Sequence, residues 1–199
     1  MFIDLSSQFR VVRPQALGFP YCYSLFARGR ESVLIDPGAG PLNLEKAGTL
    51  DADLVLLSHF HFDHINSFSF FRHARFMAAE EERGTFEDEF THHYHHGYWR
   101  WSELLDSPRP VFEATNIAGS DIRPGFHRIP IAATFHDGTT IDLGGLNLMA
   151  LAAPGHSIGH YVFYFPDQAV LYGADIDLSK FGPWYANTYS NVGDFLRSL

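Results

Sequence analysis

Residues 56–65 read Leu56-Leu57-Ser58-His59-Phe60-His61-Phe62-Asp63-His64-Ile65. The apolar run Leu54-Val55-Leu56-Leu57, a buried-strand candidate, leads directly into three histidines and an aspartate. Side chains alternate faces along an extended chain, so His59 and His61 point the same way. Two imidazoles on one side can chelate one metal ion. If the chain turns after them, Asp63 and His64 can face a second ion close by. The donors are nitrogen and oxygen with no sulfur, which suits zinc, iron or manganese better than a thiolate site.

Two later segments extend the pattern. Ala153-Pro154-Gly155-His156-Ser157 sets a histidine on a Pro-Gly turn between two strand candidates. Leu171-Tyr172-Gly173-Ala174-Asp175 ends a strand on an aspartate, and a carboxylate there can bridge two cations. Each alone reads as structural; their order after the histidine-rich loop gives them chemical weight. Upstream, the short apolar run Ser32-Val33-Leu34-Ile35 is stopped by Asp36-Pro37-Gly38.

With these residues in hand, the chain resembles the metallo-β-lactamase-fold superfamily. The match is to its H-x-H-x-D-H signature at His59, His61, Asp63 and His64, to Pro-Gly-His at His156, and to a strand-end Gly-x-Asp at Asp175. Ile35-Asp36-Pro37-Gly38 is similar to its strand-end aspartate-glycine element. The resemblance implies an α/β (α+β) fold, a four-layered αβ/βα sandwich holding metal between the edges of two sheets. It implies His59, His61 and His156 on a first metal, Asp63 and His64 on a second, and Asp175 bridging both. Zinc is the expected metal, as one or two ions, with iron or manganese as alternatives. Asp36 is expected either to orient a ligand by hydrogen bonding or simply to cap its turn. His160 reads as a structural residue or a supporter of the ligands.

The implied chemistry is hydrolysis. A metal lowers the pKa of bound water so that hydroxide exists near neutral pH. Asp63 is the expected catalytic group, orienting the nucleophile and handling its proton. The substrate class is an ester, thioester, lactone or amide bond of a small molecule. The alternatives are an iron-dependent, persulfide dioxygenase-like oxidoreductase of the same fold, or a non-catalytic metal-binding member.

One departure stands out. Members of the superfamily normally supply a further histidine to the second metal from a late loop. Only 24 residues follow Asp175 and none is a histidine. The expectation is a truncated or naturally shortened domain with an impaired second site, with a histidine from elsewhere as the alternative. A shortened sheet exposes an edge, so a homo-oligomer is a further expectation.

Composition bounds the rest. The chain has 199 residues, 46% hydrophobic and 19% charged, which reads as one globular domain over 1–199. A formal net charge of −9 argues against a nucleic-acid partner. No apolar run has the length of a membrane span, and the opening Met1-Phe2-Ile3-Asp4 is unlike a secretory signal. A single cysteine, Cys22, excludes a disulfide framework and suits the reducing cytoplasm; it reads as a small core residue.

Strands are expected over 21–27, 32–35, 54–57, 139–143, 146–151, 161–165 and 169–172, and helices over 66–73, about 86–105 and 191–199. An aromatic and histidine-rich insertion is expected at about 80–110. There His92, Tyr94 and Trp99 are candidate substrate contacts, with His92, His93, His95 and His96 as the obvious substitute ligands. Trp184 and Tyr185 are candidates for pocket lining. Glu80-Glu81-Glu82 reads as a solvated face.

Overall fold

The computed structural model describes residues 1–100, 103, 125–176 and 187–199. Two sheets face one another. The first has seven strands in sequence order: β1 (Phe2–Asp4), β2 (Phe9–Val12), β3 (Ser24–Arg28), β4 (Ser32–Ile35), β5 (Leu54–Leu56), β6 (Arg75–Ala79) and β7 (Ala133–Phe135). Pairing is antiparallel from β1 to β4, then parallel through β7, with Ile35 beside Leu56 and Leu56 beside Met77. The second is antiparallel, in the order β11 (Val170–Tyr172), β10 (Tyr161–Phe165), β9 (Asn147–Ala152) and β8 (Thr139–Asp142).

The pleat divides the apolar residues between two cores. Val33, Ile35, Leu54 and Leu56 point inward with Phe135, Leu148, Ala150, Tyr161, Phe163 and Phe165 to fill the space between the sheets. Phe9 and Phe165 meet edge to face across it, ring centres 4.8 Å apart. The intervening Leu34, Val55 and Leu57 point outward. They are covered by α1 (Pro41–Lys46), α2 (Phe62–Ile65) and α3 (Arg83–Glu87) through Leu44, Phe62, Ile65 and Phe86. Each such side chain, fully buried, contributes about 1.5–3 kcal/mol. Two-sided burial is why β4 and β5 read as unbroken apolar runs.

Three expectations are corrected. Over 66–73 the chain forms only a single 3₁₀ turn, Phe68–Phe70, after the short α2. Asn66 is buried there and its amide donates to the carbonyls of Pro20 (2.6 Å) and Gly38 (2.8 Å), fixing a turn in place of a helix. The helix expected from 86 to 105 is broken. Asp88 caps a new start by accepting from Thr91 N–H at 2.8 Å. The helix α4 (Glu89–His95) then ends where Gly97 takes φ 72°, and Tyr98–Arg100 forms one 3₁₀ turn. The third concerns Glu82, which is fully buried, not solvated. The final helix, α5 (Val192–Ser198), matches its expectation.

Candidate metal centre

Strand ends deliver the functional side chains to one place. β5 carries the chain to His59; His61 stays extended and caps the start of α2, which turns Asp63 and His64 toward the same side. This approach requires a glycine. A Cβ on Gly38 would lie 2.1 Å from the Asp63 carbonyl oxygen and 2.3 Å from Cys22 Sγ, so the Asp36-Pro37-Gly38 turn packs directly under α2. His156 comes from the loop after β9, and Asp175 from the end of β11, where Ala174 holds a left-handed φ of 46°.

Four donor atoms converge. His156 Nε2 lies 2.8 Å from His61 Nδ1 and 3.2 Å from His59 Nε2, and His59 Nε2 lies 3.0 Å from His61 Nδ1. Asp175 Oδ2 stands 3.1 Å from His156 Nε2 and 3.9 Å from His59 Nε2. Zinc bonds of about 2.1 Å in a tetrahedron set ligand atoms roughly 3.4 Å apart, and the observed separations bracket that value. The other carboxylate oxygen, Asp175 Oδ1, is 2.9 Å from His64 Nε2, which in turn is 3.9 Å from Asp63 Oδ2. His64 Nε2 is buried and faces Asp175 Oδ1. The donor set therefore fits one cation among His59, His61, His156 and Asp175, and leaves Asp63 and His64 on the far side of the shared carboxylate.

The electrostatics agree. Burial, reinforced by the neighbouring imidazoles, holds His59 and His61 well below the usual histidine range, so both are neutral and carry lone pairs. Burial would also discourage charge on His64, but Cys22, Asp175, Asp36 and Asp63 surround it and raise its pKa well above normal. Asp175 is itself partly buried. The histidines around it, His64 foremost, outweigh that penalty and keep it ionised. Burial raises Asp63, the more so beside Asp175, and His64 only partly offsets it.

Asp36 organises two rings at once. With φ 55°, it accepts from His64 Nδ1 at 2.7 Å, from the Ser58 hydroxyl at 2.6 Å and from Ser58 N–H at 2.8 Å. Ser58 Oγ, its proton given to Asp36, accepts from His59 Nδ1 at 3.0 Å. Both rings are thereby turned so that Nε2 faces the centre. Tyr172 closes the group from β11, its hydroxyl 2.9 Å from Asp36 Oδ2. His160 supports the fourth ligand: Nδ1–H donates to Ala153 O at 3.0 Å, so Nε2 accepts the Asp175 N–H at 3.1 Å. Burial keeps this ring neutral, at a pKa of about 4.

A family model described as the metallo-beta-lactamase superfamily matches residues 17–197. This chain belongs to that superfamily. It is 27% identical over 176 residues to the acyl-coenzyme A thioesterase MBLAC2 of Gallus gallus, covering 85% of this chain and 54% of that protein. It is 29% identical over 194 residues to a hydroxyacylglutathione hydrolase of Acidiphilium cryptum (strain JF-5), covering 96% of this chain and 63% of that one. A solved metallo-beta-lactamase family protein of Thermus thermophilus superposes with a TM-score of 0.70 at 27% identity, over 98% of this chain and 69% of that one. The chain thus spans little more than half the length of the curated relatives it matches. No helix among the described residues is long and apolar enough to cross a membrane.

Within this superfamily framework, α4 forms one wall beside the centre. The His96 ring stands 6.2 Å from that of His61 and packs on Phe60 at 4.7 Å, and its Nδ1–H donates to the His92 carbonyl at 2.9 Å. His92 is buried, 4.2 Å from His96, and burial lowers its pKa to about 3. Among the described residues, His92, His93, His95 and His96 join no cluster of converging metal-ligand atoms. Tyr94 stacks on Trp99 at 5.5 Å and 13°. Trp184 and Tyr185 lie outside the described residues.

The segment after them laces α4 to the centre. The Asn187 amide nitrogen, Nδ2, lies 2.5 Å from His61 Nε2. Thr188 N–H donates to His95 O at 2.9 Å, and the Ser190 hydroxyl to His156 O at 2.9 Å. Ser58, Tyr172 and Asn187 were not singled out from sequence. Only the position of Ser58, directly before His59, offered a local signal.

Proposed function

We propose that this protein is a metal-dependent hydrolase that cleaves an ester, thioester, lactone or amide bond of a small molecule, with a thioester as the first choice. The observation that carries the reading is the convergence of one donor atom each from His59, His61, His156 and Asp175 within 4.8 Å of one another. His59, His61 and His156 would hold the first metal, Asp63 and His64 a second, and Asp175 both. Zinc is the expected ion, and iron or manganese would accept the same donors. Bound there, it supplies Lewis acidity that makes hydroxide available near neutral pH.

The chain's own residues do the rest. Asp63 is half-buried at the edge of the centre, where its carboxylate orients the attacking water and takes its proton. Asp36, through His64 and Ser58, keeps the donor rings from rotating. Buried Phe60 and the aromatic face of Tyr94 and Trp99 suit an apolar acyl group. The names of two relatives, an acyl-coenzyme A thioesterase and a hydroxyacylglutathione hydrolase, support acyl release to water.

The test is metal identity and stoichiometry on protein purified without added metal, followed by turnover on acyl thioesters, esters and lactones. Zinc with thioester or lactone hydrolysis supports the proposal. Bound iron with oxygen uptake on a persulfide overturns it.

A further inference from the structure

Glu82 is the third of three consecutive glutamates, yet its side chain is wholly buried against the loop that carries His156. Its Oε1 accepts from the Ser157 hydroxyl, next to His156, and from Gly159 N–H at 3.0 Å. Gly159 makes the approach possible, since a Cβ there would lie 2.8 Å from Glu82 Cγ. Oε2 is buried without a hydrogen bond. Placing a carboxyl in such a position is costly, and an apolar side chain could fill the volume without that cost. What an apolar side chain could not do is tie Ser157 and Gly159 to the turn after β6.

We infer that Glu82 is a positioning residue: it fixes the His156 loop against the turn that follows β6 and so sets where the His156 imidazole meets those of His59 and His61. The inference rests on the metal reading above. Glu82 makes no bond to any of the three rings; it acts through the backbone that presents them. The His156 loop is held on another side by Asn191 N–H to Gly155 O at 2.7 Å and by Ser190 to His156 O at 2.9 Å. Loss of Glu82 therefore frees one side of the loop without releasing it altogether.

The test compares the wild type with Glu82→Ala, Glu82→Gln and Ser157→Ala, each first checked for folding by circular dichroism. Zinc affinity is read by chelator competition, and ligand geometry by the visible absorption of the cobalt-loaded protein. Glu82→Ala should weaken zinc binding about 10–100-fold, the range seen when outer partners of metal ligands are removed, and change the cobalt bands. Glu82→Gln, which keeps an acceptor oxygen for Ser157 and Gly159, should restore most of both. Where Glu82→Ala does not fold, Ser157→Ala must show a several-fold loss. Folded variants with wild-type affinity and an unchanged cobalt spectrum overturn the role of Glu82 alone. A wild type that binds neither zinc nor cobalt overturns the metal reading, and this inference with it.

Discussion

His61 Nδ1 and His156 Nε2 lie 2.8 Å apart although 95 positions separate them in the chain. Two lone-pair nitrogens at that distance repel unless a proton or a cation lies between them. Burial disfavours a charged His61 ring, and a cation shared by the two lone pairs would relieve the contact. The Asp175 carboxylate beside them supplies the compensating charge.

On the proposed reading, replacing His61 or His156 with alanine would remove one direct bond to the first metal. Elemental analysis should show loss of that ion, and hydrolysis should fall to background. In the wild type, zinc at about 100 times its dissociation constant should stabilise the fold by about 2.7 kcal/mol. For a domain of this size that raises Tm by roughly 5–10 °C. The same titration on His61→Ala should give little shift.

Asp36 collects four donor groups in a site without water access. Asp36→Ala strands them, and such a loss destabilises by about 3–5 kcal/mol, measurable by urea unfolding. Asp36→Asn keeps the shape but loses the charge that orients His64 and Ser58. It should fold and bind metal about 10–100-fold more weakly.

Burial pushes the Glu82 carboxyl up to about 8. Between its unfolded value and that pH, the folded protein holds a proton that the unfolded chain has released. Stability contributed at this position therefore falls as pH rises across the window, by at most about 1.4 kcal/mol per unit. Glu82→Gln cannot ionise. In metal-stripped protein, its unfolding free energy relative to wild type should climb from pH 5 to pH 8, by a few kcal/mol at most, the scale of proton linkage for a single buried group. Parallel pH profiles would count against the burial of a neutral acid.

The His96 ring stands 6.2 Å from that of His61, and the Tyr94–Trp99 stack joins α4 to the turn that follows it. Trp99→Ala should raise KM for long-chain or aromatic acyl thioesters about 3–10-fold, the worth of one aromatic contact, and leave kcat within about twofold. His92→Ala should act in the same direction through the His96 ring that it supports. Steady-state kinetics with acetyl and aromatic acyl substrates separates the two, since the acetyl compound should feel neither change.

Much of this protein is local in its sequence. The runs at Val33–Ile35 and Leu54–Leu57 announce strands buried on both faces, and the spacing of His59, His61, Asp63 and His64 announces a turn crowded with donors. Other features depend on partners far along the chain. The strands β1, β2, β6 and β7 were not legible, because short segments such as Ala133–Phe135 acquire strand geometry only by pairing with a neighbour. Glu82 cannot be told from Glu80 and Glu81 by composition; its burial follows from where β6 ends and from the gap that Gly159 leaves. The sequence by itself determined which residues can bind a cation, because that is a property of side-chain chemistry and spacing. The tertiary structure alone decided which rings share a point and which carboxyls hold them there, because those contacts join segments that only the packing of two sheets brings together.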